Sequence, residues 1–287
     1  YPQVLSQLQP RNHLQRYLLI LVVKLWHAAN RRVLPKADRI YTLSESMAEQ
    51  IRHYFPTDKL WRNRVLVIPP WADTKHMRPS SKAAEAFRRT YGIEGFLLTY
   101  SGNLGFTHPL EPLLEACALL INLRPHRSIQ TLLIGNGPKL SSLQKLAQEL
   151  ELPQSLFRFI DPLPYNEVPA SLSAADLTVV ALDGPSASAS LPSKTFNALA
   201  CGTPILALAP RKSALAQIVE MNNCGFIIEP GPEASTRLFD LLVNLSTNPQ
   251  QLQQVSDNAL AASSLYTPKN ADRIVDSWLG MFGESSA

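Results

Sequence analysis

From Arg11 to Arg32 the apolar residues fall three and four positions apart, at Leu14, Tyr17 and Leu18, Leu21 and Val22, Leu25, and Ala28 and Ala29. That spacing predicts a helix with one apolar stripe. Its unbroken apolar run, Tyr17 to Val23, is far below the roughly 20 residues needed to cross a bilayer. Arg39 to Leu43 and Val65 to Ile68 then predict two short strands, with Ser44 capping a helix that runs to about Tyr54. From Lys82 the pattern becomes a regular alternation. A helix to Tyr91 leads to a strand at Phe96 to Tyr100, a helix from Pro109, a strand at Thr131 to Ile134 and a helix at Leu140 to Leu150. Next come a strand at Leu156 to Ile160, a short helix around Val168 to Ser173, a strand at Leu177 to Leu182 and a helix opening at Ser193. After a strand at Ile205 to Leu208, the helix Ser213 to Glu220 leads to Cys224-Gly225-Phe226-Ile227-Ile228, where Gly225, like Gly231, is read as a turn glycine. Helices from Glu233, Pro249 and Pro268 close the chain. Strands separated by helices of about ten residues predict an α/β fold whose parallel sheet is doubly wound, with helices on both faces. Two strands and two helices cannot cover both faces of such a sheet. Residues 1–78 therefore look like the tail of a larger domain.

Composition narrows the class. A chain of 287 residues with 45% hydrophobic residues suits two globular domains. Cys117, Cys201 and Cys224 are odd in number and far apart, which suggests small core residues in a reducing, cytoplasmic compartment and neither a disulfide framework nor a zinc site. Charge is divided unevenly: residues 1–90 hold 16 Lys and Arg against 6 Asp and Glu, and residues 91–287 hold 11 against 17. The basic part lacks interleaved aromatics and any recognition motif, so nucleic acid is not expected as a partner. Lys24, Trp26, Arg31, Arg32, Lys36 and Arg39 instead leave two alternatives for the first helix: an interfacial helix on the anionic inner face of a membrane, or a domain helix with a basic exposed side.

Two stretches carry candidate chemistry. Ser190 to Ile205 opens after a polar loop, runs as a short helix and closes on Gly202, suited to the left-handed position after a helix. Ser193 is the expected N-cap, with Lys194 in the first turn. A cation there opposes the helix dipole, so either an anion such as a diphosphate offsets it or the side chain points into water. The second stretch, Ser101-Gly102-Asn103-Leu104-Gly105, links a strand to a helix. Its glycines either allow a phosphate or sugar to approach free amides, or serve only the geometry of a tight turn.

Pro192-Ser193-Lys194 through Gly202-Thr203-Pro204 resembles the donor-site segment of family 4 glycosyltransferases, retaining enzymes with the GT-B fold, and Tyr100 to Gly105 with His108, Leu110 and Glu111 resembles their donor-side loop. Tyr1-Pro2, Ala37 to Ile40 with Leu43-Ser44, and Ile68 to Asp73 with Arg78-Pro79 resemble the end of the acceptor-side domain in members that build bacterial surface polysaccharide. The resemblance implies a GT-B-like arrangement: one complete Rossmann-like domain plus the tail of a second. Residues 1–80 would be the incomplete acceptor-side domain and linker, 81–266 the donor-binding domain, and 267–287 a helix packing back toward the first domain through Ile274, Val275, Trp278, Leu279 and Phe282. It also implies transfer of a sugar from a nucleotide diphosphate sugar, UDP-linked, to a polysaccharide or lipid-linked acceptor, with no metal and no cofactor. Gly102, Asn103, Leu104, Gly105, Ser193 and Lys194 would hold the diphosphate, Asn197 the ribose and the backbone around Leu163 the base. In that family the front of the acceptor-side domain, absent from this sequence, carries the catalytic residues, so none is assigned. Two departures stand out: Phe106-Thr107 replaces a basic residue after the loop, and Ala189 and Asn197 occupy the positions of two glutamates eight apart. A non-catalytic nucleotide-sugar-binding module and, less well, a GT-B-fold nucleotide-sugar epimerase are the alternatives.

Overall fold

The computed structural model describes residues 12–123, 129–187 and 189–284. Tyr1-Pro2 and the Arg11 start of the first helix lie outside them. The chain forms two parallel sheets. The first holds β1 (Ile40–Thr42) and β2 (Val65–Val67), Ile40 opposite Val65. Around them lie α1 (His13–Val33), α2 (Glu45–Arg52) and α3 (Asp58–Arg64). Ser44 caps α2 by accepting from the Met47 N–H, as expected, but the helix stops at Arg52, short of Tyr54. α3 was not expected from the sequence. It is only seven residues long, and the signal was Thr57, whose hydroxyl accepts from the Leu60 N–H. Its Trp61 packs with Ala48, Tyr54, Phe55 and Val65 in a small core. α1 buries none of its described residues: Leu14, Tyr17, Leu21 and Leu25 are all more than half exposed.

The second sheet has the order β5-β4-β3-β6-β7-β8, every pair parallel. Its strands are β3 (Phe96–Ser101), β4 (Ile129–Ile134), β5 (Phe157–Ile160), β6 (Leu177–Ala181), β7 (Ile205–Leu208) and β8 (Gly225–Ile228). Side chains alternate across it. Leu98, Tyr100, Leu133 and Val179 face α5 (Glu111–Leu123), α6 (Leu140–Glu149) and α11 (Ala234–Leu245). On the other face, Leu97 and Leu132 pack with α4 (Ser81–Thr90) and α7 (Val168–Ala174). There too Val180, Leu182 and Ala207 meet α9 (Lys194–Ala200), α10 (Ala214–Met221) and α12 (Pro249–Ser263). This is the doubly wound α/β sheet expected from the alternation. One short helix, α8 (Gly184–Ala187), falls in the stretch read as a loop. α5 begins at Glu111, two residues after Pro109. Gly225 is no turn glycine. It opens β8, where a Cβ would stand 1.9 Å from the Ile205 carbonyl oxygen, so the strands can meet only with hydrogen there.

The last helix, α13 (Lys269–Glu284), reaches the small sheet. The Asn270 amide donates to the Pro69 carbonyl at 3.2 Å, Arg273 to the Val67 carbonyl at 3.1 Å, and Ser277 Oγ lies 2.6 Å from the Tyr41 hydroxyl. The described hydrogen bonds of this contact are polar; of the apolar residues expected to make it, Ile274 is half-buried, while Val275, Trp278 and Leu279 are exposed. Phe282's side chain lies outside the described residues.

Candidate functional site

In the larger sheet the chain runs outward from β3 through β4 to β5, and from β6 through β7 to β8, in opposite directions. Where the order reverses, the loops leaving neighbouring strands part, and a crevice opens at their carboxyl ends. A cavity of about 650 Å³ occupies this crevice. Gly102, Asn103 and His108 from the loop after β3 line it, with Ser193, Lys194 and Asn197 at the start of α9; Val168 and Leu172 of α7 and Val180 and Leu182 form an apolar side.

Lys194 is the one cation among the described lining residues. Its Nζ is buried without a hydrogen-bond partner and stands 3.9 Å from the centre of the Tyr100 ring. A buried charge without a hydrogen bond is costly, and burial pushes the amine down to about 7. Tyr100 is fully buried, and its hydroxyl donates to the Asn103 carbonyl at 2.6 Å. His108 Nδ1 lies 2.8 Å from that hydroxyl and 2.8 Å from the same carbonyl. Because a carbonyl only accepts, the proton sits on Nδ1. Burial, and then the charge of Lys194, hold the imidazole below its usual range, so it is neutral at pH 7.

Two glycines set the approach of these loops. Gly102, at φ +134°, has no Cβ where one would stand 2.9 Å from Lys194 Nζ, and at Gly135 a Cβ would stand 1.9 Å from the Gly102 carbonyl oxygen. The loop after β4 is therefore moulded against the loop that lines the cavity. That packing uses amides expected to be free: the Gly102 N–H donates to the Ile134 carbonyl at 2.9 Å and the Leu104 N–H to the Asn136 carbonyl at 2.8 Å. Among the described hydrogen bonds, the Asn103 and Gly105 N–H groups have no acceptor. Lys139 braces the same loop, with Nζ 2.9 Å from the His108 carbonyl and 2.5 Å from Glu111.

Of the residues singled out in the sequence, Gly102, Asn103, Ser193, Lys194 and Asn197 meet around the cavity. Leu104, Gly105 and Leu163 are not in its lining. Leu104 is a fully buried core residue beneath the loop, and Leu163 packs with Phe87 and Tyr91 below the loop after β5. Ser193 is a correction too: its backbone is helical and its hydroxyl caps no N–H, so it is an exposed wall residue. Tyr100 and His108 were missed as functional groups. In sequence Tyr100 alternates with Leu98 as any inward strand residue does, and the ring under the lysine shows only in three dimensions. None of the described lining residues is an aspartate or glutamate, and no group of three His, Cys, Asp or Glu among the described residues could hold a metal ion. No helix among the described residues is long and apolar enough to cross a membrane. What the cavity offers is one cation with a buried Nζ, the Asn103 N–H, several hydroxyls and the carboxamides of Asn103 and Asn197 beside an apolar wall, a set suited to an anionic, partly aromatic ligand.

Residues 84–260 match the family described as glycosyl transferases group 1. A D-inositol 3-phosphate glycosyltransferase of Nocardia farcinica is 30% identical over 183 residues, 62% of this chain and 39% of that protein. The corresponding protein of Thermomonospora curvata is 28% identical over 263 residues, 87% of this chain and 58% of its own length. The chain thus spans less than two thirds of these relatives. Among solved structures, sucrose-phosphate synthase of Thermosynechococcus elongatus superposes with a TM-score of 0.73 at 19% identity, covering 91% of this chain and 62% of the other. Anabaena HepE in complex with UDP-glucose superposes at 0.70 and 19%, covering 85% and 64%. At such identities the likeness establishes the fold, which is that of GT-B proteins.

Proposed function

Because this chain belongs to the glycosyl transferases group 1 family, we propose that its larger domain holds the diphosphate of a nucleotide sugar in the cavity between the β3 and β6 loops, as part of a retaining, family 4 sugar transferase of the polysaccharide-building type. The observation that carries this is Lys194: a buried amine with no partner, aimed at a cavity that contains no carboxylate among its described lining residues. A diphosphate entering there supplies the hydrogen-bond acceptors that the amine lacks. As the bond to the sugar breaks, negative charge grows on the leaving diphosphate, and Lys194 with the Asn103 amide stabilises it. Asn197 meets the ribose, and the apolar wall at Val168 and Leu172 takes the base. UDP is the proposed nucleotide, supported by the family and by the UDP-glucose bound to HepE.

In this reading residues 1–80 end the acceptor-side domain, 81–266 form the donor domain and 267–287 the returning helix. The acceptor is a polysaccharide or a lipid-linked sugar, and the basic, exposed α1 faces anionic lipid at the inner side of the membrane. A second reading, a module that binds the nucleotide sugar without transferring it, is favoured by one observation: Ala189 and Asn197 line the cavity where the family's two glutamates stand. Calorimetry of the whole chain with UDP and with uridine tests the site. Tighter binding of UDP is expected, since uridine has no phosphate for Lys194; equal affinities would remove the diphosphate from this cavity.

A further inference from the structure

Burying an ammonium without a hydrogen bond normally drives off its proton, and a neutral amine is of no use to a diphosphate. Lys194 has one compensating neighbour. Its Nζ stands 3.9 Å from the centre of the Tyr100 ring, and the negative face of an aromatic ring attracts a cation, most strongly where water is excluded. The ring is itself fixed. Tyr100 is fully buried in β3, its hydroxyl donates 2.6 Å to the Asn103 carbonyl, and His108 Nδ1 lies 2.8 Å from the same hydroxyl. A strand residue that resembles ordinary core thus ends in a polar clamp on the loop and presents its face to the cavity's cation.

We propose that Tyr100 is the positioning residue of the anion site: its ring keeps Lys194 charged and in place while the cavity is empty, so that an arriving diphosphate meets a cation already formed. This rests on the diphosphate reading given above. Without the ring the amine loses the aromatic face beneath its Nζ, and its proton leaves at lower pH. The neighbouring cationic and imidazole groups do not substitute. His108, from the loop after β3, is held neutral, and when protonated it would repel Lys194. Lys139 at the start of α6 is also a cation and is committed to Glu111 of α5. Asp183, after β6, favours positive charge in this region, acting on His108, and it stays in place in every Tyr100 variant, so the comparison between variants reads the ring alone. The Tyr100 hydroxyl is held above its ordinary value by burial and stays neutral throughout.

The test is UDP affinity of the full chain between pH 6 and 9, compared as ratios of variant to parent so that the titration of UDP itself cancels. In the parent, affinity falls as pH rises through the Lys194 range near 7. In Tyr100→Leu that fall moves to lower pH, giving about five- to thirtyfold weaker binding at pH 8, the equivalent of about 1–2 kcal/mol, and a loss of about fourfold or less at pH 6. Tyr100→Phe keeps the ring face and stays within about twofold of the parent at every pH. Phenylalanines carrying one, two and three ring fluorines at position 100 keep the shape and drain the face of negative charge. They should weaken binding stepwise at pH 8, which serves if the leucine variant does not fold. A loss of equal size at all pH values, or a fluorine series without a trend at pH 8, would overturn the role of Tyr100 while leaving the diphosphate site standing. A parent that bound no UDP at any pH would overturn both.

Discussion

Both regions of the molecule are built from parallel strands and helices, yet they stand in opposite relations to water. In the larger, six strands are covered on both faces, and Leu97, Leu98, Leu132 and Leu133 are wholly buried. In the smaller, two strands support one modest cluster, and α1 carries its apolar stripe into solvent. The same local rules of capping and periodicity shaped both. The difference is whether a second layer exists to take the apolar side, since burial in a packed interior, and not helix or strand propensity, supplies most of the stability. It also explains why the candidate site lies where it does: a buried, unpartnered lysine needs fixed walls, and among the described residues the six-stranded region provides them around Lys194.

Four substitutions sharpen this contrast. The largest effect belongs to the buried sheet. Leu133→Ala removes a fully buried side chain from β4 and should cost about 2–5 kcal/mol of unfolding free energy, whereas Leu21→Ala, on the exposed stripe of α1, should change it by less than about 0.5 kcal/mol. Urea titrations of both variants would decide it, and a comparable loss for Leu21→Ala would mean that the stripe is covered in solution. Next is Lys194→Ala. A charged hydrogen bond to phosphate contributes about 1.5–3 kcal/mol, so UDP should bind about ten- to a hundredfold more weakly while uridine binding is unchanged. An equal loss for uridine would show a collapsed cavity and no phosphate contact.

The smallest effect is at Asn197. A carboxylate there would accept from both ribose hydroxyls as a charged acceptor, which the carboxamide cannot do. Asn197→Glu should therefore tighten UDP binding several-fold, by roughly 1 kcal/mol, and the gain should largely vanish with 2′-deoxy-UDP. Weaker binding by the glutamate variant would indicate repulsion from the diphosphate and take Asn197 away from the ribose.

Much of the fold was legible in the sequence because its signals are local. The alternation from Phe96 to Ile228 located the six strands to within a few residues, and Gly202 takes the left-handed conformation, φ +68°, that its place after the helix required. α3 was missed because seven residues give too few turns for a period to show, and Gly225 was misread because a strand glycine and a turn glycine look alike until the neighbouring backbone is seen. At the site, Lys194 and Asn103 could be found from their loops. Whether the amides beside them were free could not, since Ile134 and Asn136, which take two of them, lie about thirty residues further on. Tyr100 lay in plain view as a core residue, its ring face under the lysine set by packing alone.

A crystal structure of this chain with UDP tests the central claim most directly, because it locates the diphosphate without relying on any variant. The expected result has a diphosphate oxygen within about 3 Å of Lys194 Nζ, a charge-assisted hydrogen bond, inside the crevice between the β3 and β6 loops and beside the N–H of Asn103. UDP seated elsewhere, or bound in this crevice with its diphosphate turned away from Lys194, would contradict it.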